Sequence, residues 1–112
     1  MKYGERAANE ADQAIALDPK NADAYVTRAI SYLYTPAAFG GNKQKAFEFF
    51  MKAKDLDPQS DFPHIWLALF YLEAGKSDDA LREVNEARRL NPGRGFSQFV
   101  FEQVSASRNS SN

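Results

Sequence analysis

His64 is the only histidine in the chain, and it is the first residue to test for chemistry. A zinc helix needs a second histidine one turn away with a glutamate beside it, and a hydrolase needs a Ser or Cys nucleophile within reach of the imidazole. No motif around His64 supplies either, so a structural packing role is expected for it. Two carboxylates close together can act as general acid and base. The candidates, Asp78-Asp79 and Asp55 with Asp57, sit where a helix start or a helix end accounts for the charge. Gly40-Gly41 is followed by Asn42-Lys43-Gln44 rather than by Gly-Lys-Ser/Thr, so it is not a phosphate-cradling loop. Arg88 and Arg89, with Arg94 beyond them, could touch phosphate. They alternate with Glu83 and Glu86, which reads as a solvated helix face. Asn109-Ser110-Ser111 matches a glycosylation sequon in a Ser/Asn-rich tail where such matches arise by chance. No reaction and no cofactor is suggested, and the chain reads as non-catalytic.

Bulk properties narrow the class further. The 112 residues make one small domain, and 44% hydrophobic content suffices for a core of modest stability, on the order of 5–10 kcal/mol. Fourteen basic against fifteen acidic residues leave a net charge of −1. That balance gives no reason to expect nucleic acid or an anionic membrane as partner. The absence of cysteine excludes disulfides, thiol chemistry and cysteine metal sites. There is no apolar run of 18 residues and no basic-then-apolar leader, so a soluble protein is expected, cytoplasmic, or periplasmic if a leader has been removed.

The elements that carry these residues are all helical. From Asp61 to Pro92 the chain reads as two helices and a tight turn. Ser60 and Asp61 can cap the first helix, and Pro63 sits in its first turn, where a missing N–H costs nothing. His64, Leu67, Ala68 and Tyr71 share its inner face, and Gly75 supplies the left-handed stop. Ser77 restarts the chain as a second helix with Ala80, Val84, Ala87 and Leu90 inward, ended by Pro92. Earlier, Lys2 to Leu17 forms a helix with Ala7, Ala11, Ala14 and Leu17 on one side. Asn21 caps the next, which carries Tyr25, Ala29 and Tyr32 inward, and a third carries Ala46, Phe50, Ala53 and Leu56. Between them, Thr35 to Asn42 holds Pro36 and two glycines and reads as a loop with Phe39 tucked against the helices. Phe96, Phe99, Val100, Gln103 and Val104 define a last amphipathic helix, and a disordered tail is expected over 105–112. The predicted helices are 2–17, 22–34, 43–56, 62–74, 77–90 and 95–105, with no strand.

One ending recurs three times: Ala14-x-x-Leu17-Asp18-Pro19, Ala53-x-x-Leu56-Asp57-Pro58 and Ala87-x-x-Leu90-Asn91-Pro92. With His64, Leu67-Ala68, Tyr71, Gly75, Ala80, Val84 and Pro92 at the marker spacings, the chain resembles the tetratricopeptide repeat (TPR) over nearly all of residues 3 to 92. The resemblance implies an all-α, right-handed α-α superhelix of TPR-like helix-turn-helix repeats with a C-terminal capping helix. Its divisions are a TPR-like domain over 1–104, made of a half repeat 3–21, a repeat 22–60 with a five-residue insertion, a repeat 61–94 and a capping helix 95–104. Arg28 stands where the family usually has Leu, and the start within a repeat is compatible with an accessory domain of a larger protein.

A second apolar stripe runs along the first helix of each repeat. Val26, Ile30 and Leu33 lie at i, i+4 and i+7, and Ile65, Leu69 and Leu72 repeat the spacing, with Phe62 and Trp66 beside them. In the resembled family this side lines a concave groove that holds a partner segment. The positions where chaperone-tail-binding members carry Lys, Asn and Arg hold Thr27, Phe62 and Trp66 here, which disfavours a carboxylate ligand and favours an apolar or amphipathic segment of a protein or peptide partner. A homodimer, or filling by the Phe39 loop or the N-terminal helix, would satisfy the same stripe.

Overall fold

The computed structural model describes residues 2–110, with side chains from Arg6 onward. The described residues form six α-helices and one 3-10 turn, with no strand. They divide into two compact units, Met1–Pro58 and Gln59–Asn112.

In the first unit, α1 (Lys2–Leu17) packs on α2 (Ala22–Tyr34), which packs on α3 (Lys43–Leu56). Small residues make the close approaches: Ala11, Ala24, Ala29, Ala46 and Ala53 are buried, with Phe50 the large side chain fully enclosed beside them. Asn21 and Asn42 cap α2 and α3, accepting hydrogen bonds from the Ala24 and Lys45 amides at 3.1 and 3.0 Å. Tyr25 and Tyr32 both meet the ring of Phe49 edge-on, at 5.5 and 5.3 Å between centroids. Arg28 lies over the Tyr32 ring, 3.8 Å from its centroid, and its Nε donates to Asp12 of α1 at 2.9 Å. A cation stacked on tyrosine thus stands where an apolar contact is usual.

Two expectations fail in this unit. Leu17 is 88% exposed: it is the last residue of α1, and only Ala11 of its row is buried. Phe39 is 76% exposed rather than tucked in. The loop is closed by its own backbone instead. The 3-10 turn Ala37–Phe39 forms with Phe39 N–H donating to Pro36 O at 2.9 Å, and Gly41 and Asn42 N–H donate to Pro36 O and Tyr32 O. Gly41 is required there, since a Cβ would lie 1.6 Å from the Thr35 carbonyl oxygen.

In the second unit, α4 (Phe62–Glu73) packs on α5 (Ser77–Leu90), and α6 (Gly95–Ser110) packs on both. Ile65, Ala68, Ala80, Val84, Ala87, Val100 and Val104 form one buried cluster. The alanines of α5 are fully enclosed, which is the close helix approach their size permits. Gly75 ends the first hairpin at φ +77°, the left-handed conformation that glycine adopts without strain.

The helix starts differ from expectation. Asp61 occupies the cap position of α4 but makes no capping hydrogen bond; its carboxylate accepts from Arg94 instead. Lys76 rather than Ser77 stands at the N-cap position of α5, and its side chain makes no capping hydrogen bond. At the other end, α6 continues through 105–110, where a disordered tail was expected. Ser105 and Ser107 are half-buried, Arg108 reaches Asp78 at 3.2 Å, and Ser110 Oγ donates to the Ala106 carbonyl, so the last turns of α6 keep contacts with α5 and with their own backbone. Residues 111–112 of that expected tail lie outside the described residues.

Candidate interaction surface

The expected stripe separates into residues that reach the surface and residues that do not. On α4, Ile65 is fully buried within the core cluster of its unit. A β-branched residue on the flank of α4 toward α6 is covered as soon as Val100 and Val104 are in place, so Ile65 is core and is removed from the candidate surface. Leu69 and Leu72 are half-buried and pack against the same cluster.

Phe62 and Trp66, one turn apart on α4, remain at the surface. Phe62 is 39% exposed, and the Arg94 guanidinium lies 4.1 Å from its ring centroid. Trp66 is half-buried, with its ring edge-on to Phe96 of α6 at 5.6 Å. Phe99, one turn further along α6, is 55% exposed. The second unit therefore presents Phe62 and Trp66 on α4 together with Phe96 and Phe99 on α6. Their i, i+4 and i, i+3 spacings are visible in the sequence. Phe96 and Phe99 were read there as one inward face, and it takes the burial of Ser97 between them to show that α6 turns its Ser97–Val100–Val104 edge inward.

In the first unit, Val26, Ile30 and Leu33 are all half-buried along α2. Thr27 beside them is exposed. No cationic side chain occupies the positions Thr27, Phe62 and Trp66, and the Arg94 guanidinium over Phe62 is committed to the Asp61 carboxylate, which it meets through Nε and through Nη2 at 3.2 Å.

Several titratable groups pair with one another inside the second unit. His64 Nδ1 lies 2.6 Å from Glu83 Oε2, with both side chains largely enclosed between α4 and α5. His64 is thus structural, as expected, but Glu83 is not the solvated residue its charge pattern indicated. Burial, and then the negative charges of Glu83 and Asp79, push the Tyr71 phenol above its ordinary value against the opposing effect of Arg82. Arg89 hydrogen-bonds to the Glu86 carboxylate and holds it below the usual carboxylate range. Arg88 lies over the Phe101 ring at 3.9 Å, so it covers a half-buried aromatic rather than facing open solvent. Among the described residues no three His, Asp or Glu side chains are grouped to hold a metal ion. Likewise no described helix is long and apolar enough to cross a membrane.

No protein-family profile matches this sequence, and no curated protein matches it. Among solved structures, the TPR domain of Arabidopsis OM64 matches it with a TM-score of 0.76 at 21% identity, over 92% of this chain and 81% of that one. The chain therefore has the all-helical fold of a tetratricopeptide-repeat domain.

Proposed function

We propose that this protein is a non-catalytic interaction module that binds an apolar or amphipathic segment of a partner protein. The observation that carries the reading is the aromatic surface of the second unit, Phe62 and Trp66 on α4 beside Phe96 and Phe99 on α6, left open on a fold of interaction domains. Val26, Ile30 and Leu33, half-buried along α2, form a separate apolar row within the first unit. Aromatic anchors that are partly exposed and already held in place dominate binding energy, because little side-chain entropy is lost when they are covered. Without a free cation at Thr27, Phe62 or Trp66, a ligand recognised through a terminal carboxylate is disfavoured.

Half-burial of the four aromatic side chains contributes on the order of 3–6 kcal/mol, against an association cost of at least about 4 kcal/mol. That surplus alone gives no better than about millimolar binding, and micromolar affinity, about 8 kcal/mol, requires backbone and polar contacts to supply the remainder. The test is the double variant Phe62→Ser with Phe99→Ser, two exposed side chains of the second unit. It should keep the helical circular dichroism spectrum and lose the partner retained by the immobilised wild-type protein. Retention of that partner by the folded variant would place docking elsewhere. Light scattering on the wild type separates self-association from partner binding, since a concentration-dependent dimer abolished by the same variant would assign the surface to a second copy.

A further inference from the structure

We propose that the α4–α6 aromatic surface takes a proline-rich segment of its partner, bound as an extended polyproline II helix rather than as an α-helix. The inference rests on the interaction reading above and narrows it to one backbone form. Three observations carry it. First, the lining is aromatic on both helices: Phe62 is 39% and Phe99 55% exposed, with Trp66 and Phe96 half-buried beside them. The Trp66 ring meets Phe96 edge-on at 5.6 Å, so α4 and α6 leave no gap between them about 10 Å wide for a partner α-helix to settle into. Flat proline rings pack on a shallow aromatic surface of this kind, which is the common mode of proline-rich recognition.

Second, the surface holds hydrogen-bond donors that an α-helix does not need. A guanidinium carries five N–H donors. Arg94 directs two of them, one on Nε and one on Nη2, to the Asp61 carboxylate, and among the described residues its side chain makes no other hydrogen bond. Three donors therefore remain beside the Phe62 ring, on a side chain 31% exposed. A polyproline II helix has no internal hydrogen bonds and proline lacks the N–H, so its backbone presents carbonyl acceptors alone. An α-helix has already bonded most of its carbonyls along its own axis. Because Asp61 neutralises the Arg94 charge, a neutral carbonyl suits these donors better than a partner carboxylate does.

Third, the surplus from four half-buried rings is small, which favours a ligand that loses little freedom on binding. A polyproline II segment is preformed, whereas a segment that becomes helical on docking must first be ordered. A second copy cannot supply the ligand. The prolines of this chain, Pro19, Pro36, Pro58, Pro63 and Pro92, stand singly.

The experiment titrates the full chain with decaproline and, separately, with an amphipathic α-helical peptide of Leu, Glu and Lys, reading the emission of Trp66, the sole tryptophan. Decaproline should bind with a Kd of about 0.1–1 mM, at least about tenfold more tightly than the helical peptide. Phe99→Ser should weaken it about tenfold with the circular dichroism spectrum unchanged, while Leu17→Ser, at an exposed leucine of the first unit, should leave it unaltered. The guanidinium N–H signals of Arg94 in the wild type should shift as decaproline is added. Tighter binding of the helical peptide, still weakened by Phe99→Ser, overturns the polyproline inference and keeps the interaction surface. Decaproline binding untouched by Phe99→Ser overturns both, because docking is then elsewhere. No decaproline binding, unshifted Arg94 signals, or a dimer that decaproline does not dissociate overturns the inference alone, and the partner-retention test above then decides the broader reading by itself.

Discussion

Glu83 Oε2 of α5 accepts a hydrogen bond from His64 Nδ1 of α4 across 2.6 Å, and both side chains are largely withdrawn from water. Removing one member leaves the other enclosed without this bond, which costs about 1.5–3 kcal/mol for a hydrogen bond to a charged group. His64→Phe and Glu83→Leu should each lower the melting temperature. The double variant should lie closer to wild type than the sum of the two, because an apolar pair of similar volume leaves neither polar group behind. Additive losses in a double-mutant cycle would show that the two side chains are not coupled.

Arg94 anchors the residue at the start of α4, although that helix has no side-chain cap. It pairs with the buried Asp61 carboxylate through two nitrogens and covers the Phe62 ring. Arg94→Ala should therefore destabilise the protein by about 1.5–3 kcal/mol, read as a lower urea midpoint with an unchanged slope. Arg94→Lys should recover only part of the loss, because an ammonium cannot reproduce the planar two-point contact.

The glycines differ in what they permit. Gly41→Ala drives a Cβ into the Thr35 carbonyl, Gly75→Ala strains only a φ of +77° in open space, and Gly95→Ala meets nothing within 4 Å. Thermal unfolding should rank them in that order. Gly75→Ala should cost about 1–2 kcal/mol, Gly41→Ala more, and Gly95→Ala nothing or a slight gain. An unchanged melting temperature in Gly41→Ala would contradict the described loop.

Ala80 is fully buried between helices while Arg82 is exposed and pairs with Asp79 on the outer face. Ala80→Leu should overpack the contact and cost roughly 1–3 kcal/mol. Arg82→Leu should lie near neutral, because an exposed pair contributes little. Equal melting temperatures would mean that the two faces of α5 are assigned wrongly.

How far the sequence spoke depended on whether a residue's neighbours were local. The three Ala-x-x-Leu-x-Pro endings and the apolar spacings depend on one helix at a time, and the helices over 22–34, 43–56 and 77–90 lie where they were expected, with Ala46, Ala53, Ala80 and Ala87 fully buried. Ile65, Glu83 and Phe39 depended on something else. Ile65 shares a helical spacing with surface residues and becomes core only because α6 covers that flank of α4. Glu83 sits among arginines at salt-bridge spacing, yet its partner is a histidine nineteen residues away. Phe39 looked apolar enough to be buried, but four backbone hydrogen bonds close its loop without it. At the candidate surface, Phe62 and Trp66 were legible as neighbours on one helix, whereas Phe96 joins them through a ring contact across thirty residues.

Amide hydrogen exchange with and without the partner retained by the wild-type protein tests the central claim most directly. The account predicts that partner binding slows exchange in α4 (62–73) and at the start of α6 around Phe96 and Phe99, with α5 unchanged. Slowing confined to α5 (77–90) would contradict it, since the partner would then dock on another helix of the second unit.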